Sequence, residues 1–319
     1  MASPGAPSII QYPYGFRDAD VRGYGVSGIV VRLDAVVKCA LPGPGCREDL
    51  ERERRVYEAL NPFRHRGLLR YYGHLPGGAL LLEYAPHKTI RHQLVRPKMD
   101  IPFALRSRWI RQIAETVAFV HSQGILHADI ACNNIFLDDQ QNTKVGDFAG
   151  ASIDGEEARG CYDDGYSHPR DDAAGVSVRS EVFALGSTFY EIMTGAKPYQ
   201  GHQIHEVEEA FRQERYPDLS SLPAYGHIIE RCWKGDYSNV DEMLPDITAD
   251  GTASHCSRSG PLANTTSAPA IPETETLSPS ISNAESTAQP LPTYTLSFPR
   301  FAVLVVALVG GAIWWFEEV

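Results

Sequence analysis

Ile125-Leu126-His127-Ala128-Asp129-Ile130-Ala131-Cys132-Asn133-Asn134-Ile135-Phe136-Leu137 is followed, eighteen residues after Asp129, by Asp147 in Val145-Gly146-Asp147-Phe148-Ala149-Gly150. Apolar residues flank both stretches. They predict a loop pinned at each end, holding Asp129 and Asn134 at a fixed spacing of five. A carboxylate and a carboxamide can chelate Mg2+ through oxygen, and a second carboxylate can orient a hydroxyl.

Toward the N-terminus, Gly23-Tyr24-Gly25-Val26-Ser27-Gly28-Ile29-Val30 is a G-x-G-x-x-G-x-V run. Glycines let backbone amides approach a phosphate chain without side-chain clash. A dinucleotide fold would place such a run between a strand and a helix. Here the strand-like IVVRL follows, which predicts a hairpin lid. Eight residues beyond Val30 stands Lys38, in Ala35-Val36-Val37-Lys38. An ammonium there would neutralise phosphate charge; the competing reading is an edge-strand Lys that discourages aggregation. The next segment, Arg47 to Leu60, reads as a helix with Val56, Tyr57 and Leu60 on its buried side. Glu53 on that helix can reach Lys38, or it is a solvated helix charge.

Taken in order, these segments resemble the eukaryotic protein kinase superfamily over about residues 21–245, and the wording HADIACNN…GDFAG is similar to kinase-like proteins of fungi. The resemblance implies an α+β, bilobal fold, with a β-rich N-lobe (21–85) and a mostly helical C-lobe (86–248). It implies that Gly23, Gly25 and Gly28 cover the phosphates of ATP, that Val30 packs on adenine, and that Lys38 holds the α/β-phosphates and pairs with Glu53. Leu82 becomes the gatekeeper, and the backbone of Glu83 and Ala85 bonds adenine. Asp129 accepts or orients the substrate hydroxyl proton, while Asn134 and Asp147 hold Mg2+. Ser180 to Gly186 becomes a buried supporting helix, and Cys232-Trp233 closes the C-lobe core.

Several positions depart from the family pattern. The Arg before the catalytic Asp is Ala128, which puts switching by loop phosphorylation in doubt. The loop keeps Ser152, Tyr162, Tyr166 and Ser167, but five acids, Asp154, Glu156, Glu157, Asp163 and Asp164, would repel an added phosphate. The Gly of D-F-G is Ala149, losing backbone freedom worth very roughly 1 kcal/mol. A-P-E reads His168-Pro169-Arg170, and an Arg expected soon after Trp233 is missing, so both halves of a buried ion pair are expected to be absent. The Asp of the supporting helix is Glu181, one methylene longer. The Lys that Ser/Thr kinases carry two residues after the catalytic Asp is Ala131, as in tyrosine kinases, and the later Arg of tyrosine kinases is Asn133. Base rate still favours Ser/Thr.

The 319-residue chain carries 29 Lys+Arg against 40 Asp+Glu, net −11, which argues against a broad surface for wrapping nucleic acid. Its six cysteines form no C-x-x-C pair, so a zinc ribbon is unexpected and free thiols are expected. No secretory signal is read at 1–20. From Gly251 to Pro299, 17 Ser/Thr and 7 Pro in 49 residues predict a disordered tether, taken as 249–299. Phe301 to Phe316 is 16 residues without charge, with Arg300 before it and Trp314-Trp315 at its end. It predicts an apolar helix, a tail anchor (300–319) with the kinase domain facing the cytosol. The functional expectation is an ATP- and Mg-dependent kinase of protein hydroxyls. The alternatives are a membrane-tethered pseudokinase and a small-molecule kinase of related two-lobed fold.

Overall fold

The computed structural model describes residues 21–24, 29–96, 100–160, 162–169, 175–256, 307–309 and 312–314. Valine and leucine runs build the first lobe. Strand β3 (Ala35–Lys38) pairs antiparallel with β5 (Leu80–Glu83), setting Lys38 opposite Leu80 and Val36 opposite Leu82. Strand β4 (Tyr71–His74) flanks β5 on its other side, and β1 (Val21–Tyr24) and β2 (Ile29–Val31) form a separate hairpin. Helix α1 (Cys46–Leu60) buries Leu50, Glu53, Val56, Tyr57 and Leu60. That i, i+3, i+6, i+7, i+10 pattern is the stripe one helix face presents. Tyr57 stacks on Tyr71 of β4 at 5.7 Å and so seats the helix against the sheet.

The second lobe is helical, apart from the hairpin of β6 (Ile135–Leu137) and β7 (Thr143–Val145). After the short α2 (Ile90–Leu94), α3 (Phe103–Ser122) packs against α4 (Val178–Thr194). Helix α4 opens with a reciprocal Ser177–Ser180 cap, is buried along nearly its whole length, and ends at Gly195 with φ 84°. It runs close to α6 (Gly226–Lys234): a Cβ built on Gly186 would lie 2.7 Å from the Cβ of Cys232. Trp233 Nε1 donates to Ser187 Oγ at 3.0 Å, so the Cys-Trp pair closes this core as expected. Helix α5 (Ile204–Arg212) adds Val207 and Phe211. Phe148 and Val145 belong to the core under the first lobe, although they follow the second lobe's hairpin. The lobes are thereby stitched across the stretch that carries Asp147.

Two expectations are corrected. The C-lobe does not stop at residue 248: α7 (Leu244–Cys256) packs on α3, and Gly251 lies close to Ser107 and Tyr225. The apolar helix over Phe301–Phe316 is not what the described residues there form; β8 (Ala307–Val309) and β9 (Ala312–Trp314) pair antiparallel, Val309 opposite Ala312. Val309 and Ile313 in these strands are β-branched, which favours extended backbone. No helix among the described residues is long and apolar enough to cross a membrane. A part-buried ion pair that the sequence did not mark also ties the C-lobe: Arg91 on α2 grips Glu191 on α4 at 2.8 and 3.0 Å. The N-terminal segment 1–20, Gly25, Gly28, Arg170 and the tether beyond Cys256 lie outside the described residues.

Candidate active site

Lys38, at the end of β3, sits with its Nζ 2.6 Å from Glu53 Oε2 and 2.7 Å from Asp147 Oδ1. Strand, helix and interlobe stretch thus deliver one ammonium and two carboxylates to a single point. Burial alone would discharge Lys38, but Asp147 and Glu53 outweigh it and hold its pKa above the ordinary lysine value. Burial pushes Glu53 up toward neutrality, against the pull of Lys38. Asp147 is held below the usual carboxylate range, since Lys38 more than offsets its burial. Its backbone has φ 65°, a left-handed conformation unusual outside glycine, whereas Ala149 does not. The Ala in place of Gly therefore carries no backbone strain.

Across the cleft, Asn134 Nδ2 donates to both the carbonyl and Oδ2 of Asp129, each at 2.7 Å. The Gly146 amide donates to the Asn134 carbonyl at 3.1 Å, bringing the Asn134 loop beside Asp147. The Asn134 side chain is thus fixed by its nitrogen, while its Oδ1 accepts from Asn133 Nδ2 at 3.1 Å and keeps a second lone pair as a hard donor alongside the Asp147 carboxylate. That donor set, few protein oxygens beside a ligand's own, fits Mg2+. Burial, with Asp147 and Asp163 nearby, pushes the Asp129 carboxyl up to about 6, despite the Asn134 bond.

Glu181 on α4, fully buried, organises this loop. Its carboxylate accepts from the amides of His127 (3.0 Å) and Ala128 (2.7 Å), from His121 Nε2 (2.7 Å) and from the Tyr162 hydroxyl (3.1 Å). Ala128 stands at φ 67°, and the two amide bonds hold it there. His121 and the other donors outweigh burial and keep Glu181 ionised below the ordinary Glu value. His127 donates through Nε2 to the Gly146 carbonyl, accepts the Asp129 amide at Nδ1, and packs on Phe148 at 4.8 Å. Phe148 meets Tyr57 of α1 edge-on at 5.4 Å, so the catalytic loop and the Glu53 helix share one aromatic stack.

The remaining expected residues are placed as follows. Gly23 pairs with Val30, which is 62% exposed. Glu83 turns its side chain to Lys144 (3.4 Å) and its amide to the Arg70 carbonyl, and the Ala85 carbonyl accepts from Lys88. Half-buried Val36 and Phe136 flank the same junction, packed on the first lobe's core with Leu82 and Ala85. Sequence reasoning missed both, and only the alternation within β3 and β6 could have pointed to them.

A family model for protein tyrosine and serine/threonine kinases matches residues 31–241. The chain belongs to this kinase family. Mouse serine/threonine-protein kinase PLK2 is 27% identical over 236 residues, 68% of this chain and 34% of that protein. Serine/threonine/tyrosine-protein kinase HT1 of Arabidopsis thaliana is 28% identical over 188 residues, 53% of this chain and 47% of HT1. Mouse inactive serine/threonine-protein kinase PLK5 is 26% identical over 214 residues, 63% of this chain and 35% of that protein. The chain spans about a third to a half of the length of these relatives. In this kinase domain the supporting Glu181 reaches both amides of the catalytic loop, so its extra methylene is accommodated.

Proposed function

We propose that the chain is an ATP- and Mg2+-dependent protein kinase that phosphorylates Ser or Thr hydroxyls of protein substrates. The convergence of Lys38, Glu53 and Asp147 on one point, facing the fixed Asp129–Asn134 pair, carries the reading. Phosphoryl transfer is mostly positioning plus charge neutralisation, and these five groups supply both. Lys38, oriented by Glu53, would hold phosphate oxygens. Asp147 and the Asn134 carbonyl oxygen are the groups that would hold the metal, which when bound neutralises phosphate charge. Asp129, one oxygen fixed by Asn134, accepts or orients the proton of the incoming hydroxyl at the other. The Ser/Thr preference is supported by the names of the relatives.

Radiolabelled phosphate transfer by the full chain to a generic protein substrate, with Asp129→Asn beside it, tests this. Transfer that the variant loses is expected; equal labelling by both ends the assignment. The departures at Ala128 and Arg170, and the similarity to a relative named inactive, favour a second reading. In it the chain is a membrane-tethered pseudokinase, and Mg·ATP would raise its melting temperature without any transfer.

A pH dependence follows for the active enzyme. Asp129 works ionised, and its carboxyl titrates at about 6. Because that value is raised, the working form is lost as pH falls through 6, so kcat/KM is expected to drop about tenfold per pH unit below it and to level off above. A profile flat from pH 8 to pH 5 contradicts the assignment. We further propose that the chain is held on a membrane with the kinase domain facing the cytosol; the uncharged composition of Phe301–Phe316, with Trp314-Trp315 at its end, supports this. A chain ending at residue 300 should move from the pelleted to the soluble fraction. Full-length chain found entirely in the soluble fraction refutes this.

A further inference from the structure

Between α1 and the segment after Asp147 lies a solvent-open groove whose lining includes Arg52, Arg55, Arg159 and Glu156. Arg55 forks onto Glu156, at 3.0 Å to Oε2 and 2.8 Å to Oε1, and reaches Asp154 at 3.5 Å. Arg52, one residue before Glu53, lies 3.5 Å from Glu156 and donates to the carbonyls of Ala151 (2.9 Å) and Glu157 (3.0 Å). Arg159 meets Asp49 of α1 at 3.1 Å. The outer face of the helix is thus fastened to this segment while its inner face presents Glu53 to Lys38.

Two further observations bear on what the groove holds. The place where an Arg before Asp129 would project is covered: a Cβ built on Gly160 would lie 2.8 Å from the Ala128 carbonyl oxygen and 3.2 Å from its Cβ. The segment's hydroxyls are also committed elsewhere. Ser152 donates to the Glu156 carbonyl, Tyr162 to Glu181, Tyr166 to Glu191 and Ser167 to the Tyr162 carbonyl. A carboxylate, rather than a hydroxyl awaiting phosphate, faces the α1 arginines. Bidentate Arg–carboxylate geometry is the form in which an ion pair also fixes orientation.

We infer that Glu156, seconded by Asp154, is a positioning residue whose carboxylate takes the place beside Arg55 and Arg52 that a phosphate would need, holding α1 and Glu53 against Lys38 in the unmodified chain. This rests on the kinase reading of the site. Two of the five acids that sequence alone reads as repelling a phosphate, Asp154 and Glu156, act here as its replacement. Arg52 also holds the carbonyls of Ala151 and Glu157, so removing the Glu156 charge loosens the helix in part, and reversing it pushes the helix away.

The test uses the full chain, treated with phosphatase and confirmed unphosphorylated by mass spectrometry. Hydrogen exchange over residues 46–60 is read without nucleotide, and kcat/KM with Mg·ATP. Each exposed pair is worth little alone. Glu156→Gln is therefore expected to cost about 5-fold in kcat/KM and Glu156→Arg about 20-fold, with faster exchange in α1 and an unchanged melting temperature. Glu156→Arg combined with Arg55→Glu should return to within about 3-fold of wild type, which a merely structural role would not produce. Wild-type exchange and turnover in Glu156→Arg, or loss of wild-type activity on phosphatase treatment, overturns the inference. If the wild type never transfers phosphate, the kinase reading fails while the exchange comparison still decides the clasp.

Discussion

Asp129→Asn is expected to fold as the wild type does and to transfer phosphate about a thousand times more slowly, a loss of about 4 kcal/mol in transition-state stabilisation. The fold survives because the amide keeps the one contact that matters for structure: an oxygen to accept from Asn134 Nδ2, as Asp129 Oδ2 does at 2.7 Å. Burial already disfavours charge there, so a neutral isostere is tolerated. Chemistry fails because a carboxamide takes no proton from a hydroxyl. The Lys38–Glu53–Asp147 cluster is untouched, so KM for Mg·ATP should stay within a few-fold. Steady-state kinetics with a thermal melt separates these effects; a variant that loses both rate and melting temperature would assign Asp129 to structure instead.

Glu181→Gln should damage folding most. The wild-type carboxylate takes four donors, two of them main-chain amides of the catalytic loop. An amide turns one of those acceptor oxygens into a donor facing another donor, in a site without solvent. Breaking such a buried charged network costs about 3–5 kcal/mol, which at ~2–4 °C per kcal/mol lowers the melting temperature by about 10 °C. Without both amide bonds the left-handed Ala128 relaxes and Asp129 with it, so transfer should also fall, by about a hundredfold. Glu181 titrates below its ordinary value of 4.5, so its contribution is whole at neutral pH and lost only as pH falls below that range. The wild type and Gln variant should therefore differ most at pH 7 and converge as pH falls below 4.5. A Gln variant melting within 2 °C of wild type at pH 7 would refute the role.

Much of the site was legible because its residues are punctuated locally. Asp129 and Asn134 stand on a loop pinned by apolar flanks, Lys38 closes a valine strand, and Glu53 shares a helical stripe with Val56 and Tyr57. Periodicity and spacing pick out these positions, and the resemblance to protein kinases is what pairs Lys38 with Glu53. Partners far apart in the chain were not legible. Arg91 and Glu191 are one hundred residues apart, and nothing near either marks it as half of a pair. Glu156 read as a repelling charge because sequence does not show that Arg52 and Arg55 turn toward it. For the run Phe301–Phe316, hydropathy measures how apolar a stretch is and not its backbone: Ala307–Val309 and Ala312–Trp314 pair as strands there, with β-branched Val309 and Ile313 among them.

By itself the sequence determined the two-lobed kinase fold and the five polar groups of the cleft. Apolar periodicity dictates helices and strands, and the carboxylate and carboxamide spacings fall between them. Only the tertiary structure decided how those groups are held: Ala128 strained and bonded to Glu181, Tyr57, Phe148 and His127 stacked between lobes, and α1 clasped by Glu156. Each of these depends on atoms from separate elements meeting within hydrogen-bond or van der Waals distance, which side-chain direction and packing settle and residue order does not.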